Sequence, residues 1–299
     1  ELNGYIVARV DIRGTGRSEG RVIPNEYSEI ELNDGEEVIE WLSAQNWSNG
    51  NVGMFGISWG GFNSIQMAMR NPPALKAFVA VMATEYLYEE DVHYIDGIMV
   101  AGDSWMMSND LYNSLPGAPD FTMDEEWYEN RFDVEPSVYK YMRQQRDGPF
   151  WDRASAKNKY DLIKIPGYHI GGWYDGYRNS LPRMIENVSA PVKAMIGPWD
   201  HDFPHNAALK PQVEWRHEAV RWFDQWLKQV DTGILEEPKF AVYIRDYHEP
   251  DDSVEYIPGY WRWENEWPPT DLSKQTFYGH DNHYLSPEKS KFVEHKLKN

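Results

Sequence analysis

Ser58 stands between two glycines in Gly56-Ile57-Ser58-Trp59-Gly60, directly behind the apolar run Asn51-Val52-Gly53-Met54-Phe55. A serine hydroxyl is a poor nucleophile until a neighbouring base takes its proton as it attacks. A strand that turns sharply into a helix at such a serine lifts its Oγ above the sheet, and flanking glycines keep the strained turn free of clashes. Gly61 to Arg70 follows with helix formers and apolar positions at Ile65, Met67, Ala68 and Met69. The spacing therefore predicts a nucleophile elbow, against the plainer alternative of a Gly/Ser loop.

An elbow serine needs a base and a group to orient that base, in the chain order serine, acid, histidine. Asp175 ends Gly171-Gly172-Trp173-Tyr174-Asp175, just beyond a predicted strand, and His201 ends Gly197-Pro198-Trp199-Asp200-His201, just beyond the next. Both are expected at the edge of a parallel sheet where ligands bind. Alternatives stay open at this point. Asp175 could cap a helix over 176–180, and His201 could be a solvated loop histidine, with His169 or His205 as the base. His169 falls inside its strand, however, and His205 lies behind Pro204. Asp200-His201-Asp202-Phe203-Pro204-His205 also permits metal ligation, although Pro204 opposes the helix that would align side chains four apart. Gly14-x-Gly16-x-x-x-Gly20 is one residue too long for a dinucleotide fingerprint.

The elements that must position these residues follow from hydrophobic period. Residues 4–11 read as a buried strand ending at Asp11, with a turn-rich loop from Arg13 to Gly20. Asn33 to Gln45 reads as a helix with Val38, Ile39, Trp41 and Leu42 on one side and acids near its N-terminus. Leu75 to Ala83 is a short apolar strand, and the alternation of strand and helix implies a mostly parallel sheet covered on both faces. Between 85 and 160 the texture changes to acidic, aromatic and Met-rich segments. Tyr94 to Met107 and Val138 to Arg146 are predicted helical, as an insertion over the sheet. The α/β pattern returns at Ile165 to Gly172 and Val192 to Gly197, followed by a helix over Val213 to Gln229 with Trp222, Phe223, Trp226 and Leu227 on its apolar side. From Lys239 the pattern is all-β, with Phe240, Val242 and Ile244 on one face and another strand over Gln275 to Gly279.

Composition narrows the partners. A chain of 299 residues, 41% hydrophobic and 15% aromatic, is neither disordered nor too small for a real core. No run approaches the roughly 18 apolar residues of a membrane span. A formal charge of −19, from 29 Lys and Arg against 48 Asp and Glu, supplies no basic footprint for nucleic acid. With no cysteine, disulfides, thiolate metal sites and cysteine nucleophiles are excluded together. The chain opens on Glu1 and runs at once into a strand pattern, so it reads as a piece of something longer, with no leader from which to read a compartment.

The pattern as a whole resembles the CocE/NonD family of serine hydrolases, the cocaine-esterase-like relatives of X-prolyl dipeptidyl aminopeptidases and α-amino-acid ester hydrolases. The likeness rests on Gly4-Tyr5 through Asp11-x-Arg13-Gly14-x-Gly16-x-Ser18-x-Gly20, on Gly56 to Gly61, on Gly172 to Asp175 and on Gly197 to His201, and it covers nearly the whole chain. It implies an α/β-hydrolase core with a helical cap and a C-terminal jelly-roll β-sandwich. The expected division is core over 1–84, cap over 85–160, core over 161–235 and the start of the sandwich over 236–299. The about sixty residues after Lys239 are too few for a full eight-stranded jelly roll.

The resemblance further implies Ser58 as nucleophile, His201 as base and then acid, Asp175 as the orienting carboxylate, and the backbone N–H of Trp59 as one oxyanion donor. A second donor, a tyrosine hydroxyl, belongs to a loop upstream of the Gly4-Tyr5 strand and so lies before Glu1, with the first strands of the sheet. The expected reaction is hydrolysis of a carboxylic ester or amide through an acyl-enzyme, on a small molecule or short peptide, with neither metal nor organic cofactor. Trp173, Tyr174, Trp199, Tyr94, Trp105 and Tyr112 are candidate walls of an apolar acyl pocket. Release of Xaa-Pro dipeptides is the alternative activity, with an anionic pocket for the substrate amine drawn from cap acids such as Glu89, Glu90 and Asp91. A non-catalytic binding protein on a hydrolase scaffold, using the aromatics of Tyr256 to Trp267, is the alternative of another class.

Overall fold

A computed structural model describes residues 3–100, 102, 122–280 and 284–289. Six strands form one sheet: β1 (Val52–Ile57), β2 (Leu75–Val81), β5 (Gly167–Gly172), β6 (Val192–Gly197), β7 (Phe240–Arg245) and β8 (Gly259–Glu264), in that spatial order. The first five run parallel and β8 closes antiparallel on β7. β3 (Tyr94–Ile95) with β4 (Ile98–Met99), and β9 (Tyr278–His280) with β10 (Tyr284–Ser286), are separate short hairpins. β7 and β8, which lie in the segment expected to open the sandwich, thus extend the main sheet.

β2 explains the layering. Its side chains alternate across the sheet, and from Ala77 to Val81 both sets are buried, so this stretch reads as an apolar run with Lys76 alone breaking it near the strand's start. Phe78 and Ala80 join Ile65, Met67 and Ala68 of α2 (Trp59–Arg70), Leu32 and Ile39 of α1 (Glu29–Ser43), and Met184 of a later helix. Ala77, Val79 and Val81 face the opposite way, toward Trp222 and Leu227. The later helices are α7 (Ser180–Asn187) and α8 (Arg216–Leu227). The sheet is a middle layer between α1, α2 and α7 on one face and α8 on the other.

The segment between β2 and β5 carries α3 (Leu87–Glu90), the β3–β4 hairpin, α4 (Glu125–Trp127) running into a π-turn at Tyr128–Phe132, α5 (Ser137–Arg143) and α6 (Pro149–Asp152). Its Leu87, Tyr94, Tyr141, Trp151 and Ala154 share a core with Tyr27, Phe62 and Tyr177. Phe62 lies in the first turn of α2 and Tyr177 just beyond β5, so this insertion sits against the edge where the parallel strands end. Arg183 of α7 fastens it: the guanidinium spans Glu85 and Glu90, each at 2.6 Å. Tyr160 and Asn179 add further hydrogen bonds to the same two acids.

Two expectations are corrected. Residues 4–11 form no strand: Ile6, Val7 and Val10 are exposed, and the segment is held mainly through Tyr5, whose hydroxyl donates to Asp224 at 2.6 Å. An apolar alternation describes a face to be covered but does not supply a ladder partner. Tyr94 to Met107 does not begin as a helix, because Asp96 and Gly97 take positive φ (51° and 73°) and close the β3–β4 hairpin, as an Asp-Gly pair favours. No helix among the described residues is long and apolar enough to cross a membrane.

Candidate active site

β1 enters the elbow and α2 leaves it, with Ser58 at φ 55°, ψ −125° between them. A left-handed non-glycine residue costs of order 1–3 kcal/mol and persists only when its surroundings over-determine it. Here they do. A Cβ on Gly56 would lie 2.6 Å from the backbone of Gly60, and one on Gly61 would meet Ala83 at 2.8 Å and the Val81 carbonyl at 2.9 Å. Gly60 itself faces open space. Packing thus requires Gly56 and Gly61, whereas the sequence pattern had drawn attention to Gly56 and Gly60.

The loops after β5 and β6 are joined to each other by backbone. Trp173 N–H donates to the Gly197 carbonyl at 2.9 Å, and Tyr174 N–H to the Trp199 carbonyl at 3.0 Å. Gly172 permits that approach, since a Cβ there would sit 2.2 Å from the Trp199 oxygen. The Trp199 indole is fully buried and donates to the Pro211 carbonyl at 2.8 Å. The loops so joined bring His201 Nδ1 to 2.8 Å from Asp175 Oδ1. Asp175 is buried and His201 is partly exposed. The hydrogen bond to Asp175 holds the imidazole above its ordinary pKa, against a smaller opposing effect of burial. Ser58, Asp175 and His201 follow the C-terminal ends of β1, β5 and β6, all on one edge of the sheet. The Tyr177 ring bridges the loop of His201 and α2, packing edge-on to Phe62 at 5.1 Å and to His201 at 5.5 Å.

The other candidates fall elsewhere. His169 is buried in β5, and burial alone lowers its pKa to about 4. His205 Nδ1 accepts from the Trp215 indole at 3.0 Å. Asp175 caps no helix, because α7 starts at Ser180 with Asn179 before it. Asp200 and Asp202 accept backbone N–H groups of Ala208 and Phe203. Trp173 packs beside Phe240 and Val242, its indole donating to the Tyr243 carbonyl at 2.7 Å. Tyr174 is exposed beneath the Arg245 guanidinium, Tyr94 is fully buried against Tyr88 and Trp151, and Trp105 and Tyr112 lie outside the described residues.

Sequence reasoning overlooked Tyr177 and Glu31. Glu31 is buried beside the elbow, where Oε1 accepts from the Trp59 indole at 2.8 Å and from the Asn63 amide at 3.0 Å, and Oε2 from the Tyr27 N–H at 2.6 Å. Burial pushes its carboxyl up to about 7 against these donors. The available signal was Ser28-x-x-Glu31, a helix-capping pattern.

Comparison with known proteins agrees with this architecture. The chain is 26% identical over 314 residues to the cocaine esterase of Rhodococcus sp. (strain MB1 Bresler), a match covering 92% of this chain and 52% of that protein. It is 25% identical over 310 residues to the Xaa-Pro dipeptidyl-peptidase of Lactobacillus delbrueckii subsp. lactis, covering 93% of this chain and 37% of that one. A CocE/NonD family hydrolase from Staphylococcus aureus superposes with a TM-score of 0.69 at 22% identity, over 93% of this chain and 45% of that structure. The chain thus spans about half or less of the length of these relatives. Residues 2–202 match the family described as X-Pro dipeptidyl-peptidase (S15 family). With that match over two thirds of its length, an α/β-hydrolase sheet and relatives that are serine esterases and dipeptidyl-peptidases, the chain belongs to the X-Pro dipeptidyl-peptidase (S15) family of serine hydrolases.

Proposed function

We propose that the protein hydrolyses a carboxylic ester or amide through an acyl-enzyme on Ser58, with His201 and Asp175 completing the triad. Ser58 Oγ attacks the carbonyl carbon as His201 Nε2 takes the hydroxyl proton. The proton passes to the departing alcohol or amine, and the acyl group stays on Oγ. Water then attacks the acyl-enzyme, giving its proton to His201, and the acid leaves as Oγ is reprotonated. Asp175 accepts from Nδ1–H throughout, which fixes the tautomer that leaves Nε2 free as base. The Trp59 backbone N–H serves as an oxyanion donor. The observation that carries this reading is the 2.8 Å His201–Asp175 hydrogen bond at the same sheet edge as a serine held at positive φ.

Release of Xaa-Pro dipeptides is a second reading of the same chemistry. It is supported by the Lactobacillus relative and by two buried carboxylates near the insertion, Glu26 and Asp91. Among the described residues Glu26 has only His93 Nε2 near its oxygens, at 3.6 Å, and the Asp91 carboxylate is held by the Val92 backbone N–H and faces His93. A prolyl-dipeptide anilide tested beside a simple aryl ester separates the two.

The test of the main reading is labelling by an active-site fluorophosphonate. Label on the wild type that vanishes in Ser58→Ala is the expected outcome. A folded wild type that takes no label would leave a binding protein on a hydrolase scaffold.

A further inference from the structure

α2 begins without a side-chain cap of its own: Ser58, at the N-cap position, makes no capping hydrogen bond. The peptide that follows the nucleophile is held within the helix by the Phe62 N–H, which donates to the Ser58 carbonyl at 2.9 Å, and from outside it through the Trp59 side chain. Ser28-x-x-Glu31 is the sequence of a capping box, and its first half forms, with Ser28 Oγ accepting from the Glu31 N–H at 3.4 Å. The second half does not close on the Ser28 N–H as a capping box would, since Oε2 accepts instead from the Tyr27 N–H one residue earlier. The second oxygen reaches across to α2, where Trp59 and Asn63, four residues apart and so on one helical face, both donate to it. Burial outweighs the three N–H donors and holds the Glu31 pKa at about 7, but those donors fill both of its oxygens. The positive end of the α2 dipole favours the charge there as well. Tyr27, whose backbone Glu31 holds, stacks on Phe62 at 5.3 Å and meets the Trp59 ring edge-on at 6.2 Å. The carboxylate thus gathers the first turn of α2 and the loop before α1 around the elbow.

We infer that Glu31 is a positioning residue of this site, acting through the Trp59 indole and the Asn63 amide to fix the Trp59 peptide that serves as an oxyanion donor. The inference rests on the proposed acyl-enzyme chemistry. A residue that orients a donor used mainly in the transition state alters kcat and leaves KM nearly unchanged.

The experiment measures kcat and KM on an aryl ester, together with the fluorophosphonate labelling rate, for wild type, Trp59→Phe, Glu31→Ala, Glu31→Gln and the Glu31→Ala/Trp59→Phe double variant. Trp59→Phe keeps the ring and loses only the N–H, so it reports even where Glu31→Ala fails to fold. It is expected to lower kcat by about tenfold with KM within about twofold, the size of a lost hydrogen bond to a charged group. Glu31→Ala is expected to lose at least as much, and the double variant no more than Glu31→Ala alone. Glu31→Gln keeps an oxygen for Trp59 and Asn63 but turns its NH2 on the Tyr27 N–H, so its kcat is expected to fall between wild type and Glu31→Ala. Wild-type kcat in Trp59→Phe, or independent additive losses in the double variant, would overturn the inference while labelling of Ser58 still upheld the hydrolase. A wild type that neither turns over nor takes label would remove both.

Discussion

At the residue scale the proposed triad predicts a pH dependence set by His201 and Asp175. The folded pKa of His201 lies above its ordinary 6.5 because the Asp175 carboxylate accepts its proton-bearing Nδ1. On the proposed mechanism the base form predominates only above that raised value, so kcat/KM is expected to rise with pH through an inflection above 6.5. Asp175→Asn removes the charge that raises the pKa and favours the wrong tautomer. Its expected effect is an inflection moved to lower pH and a kcat lower by about 10³–10⁴. A pH–rate profile of the two proteins checks this, and an unmoved inflection would assign the titration to another group.

At the element scale the site depends on how two loops are tied and how the insertion is clamped. Gly172 lets β5 end against the Trp199 carbonyl, so Gly172→Ala forces apart the loops that carry Asp175 and His201. Overpacking of this kind costs about 1–3 kcal/mol, and the melting temperature and kcat should fall together. Arg183 is the cation between Glu85 and Glu90, which are otherwise buried acids. Replacing it with Met strands two carboxylates under the insertion, an expected loss of about 3–5 kcal/mol in urea unfolding. A loss below about 1 kcal/mol would mean that the clamp is no stronger than a surface ion pair.

At the scale of the whole molecule, buried titratable groups oppose one another in acid. His169 binds a proton in the native state only near pH 4, whereas an unfolded histidine binds one below about 6.5. Its contribution to stability is present above 6.5 and is lost as pH falls toward 4, at up to ~1.4 kcal/mol per pH unit for one proton. Glu31, raised to about 7, and Asp91, raised to about 6, act in the reverse sense. Their contributions are full below the ordinary carboxylate values and are lost as pH rises through 6 to 7. His169→Leu removes the acid-side loss, so urea midpoints of the variant should gain on wild type progressively as pH falls from 6.5 toward 4. A constant offset across that range would show that His169 does not titrate with unfolding.

What the sequence by itself determined was local: the apolar runs of β2, β5 and β6, the helix formers after Ser58, and the place of Asp175 and His201 just beyond two strands. These were legible because a doubly covered parallel sheet needs mostly apolar strands, with rare exceptions such as His169 and Lys193, and strand ends then fall on one edge. Residues 4–11 carried the same kind of run and formed no strand, since pairing depends on a neighbour that no local pattern encodes. Asp96-Gly97 carried an Asp-Gly turn signal that the helical reading of Tyr94 to Met107 passed over. Only the tertiary structure decided that Trp173 and Trp199 brace the loops, that Tyr177 packs on His201, and that Glu31 faces Trp59. Each of those contacts joins residues from different elements, and side chains of one type serve a core, a brace or a site according to what the fold lays against them.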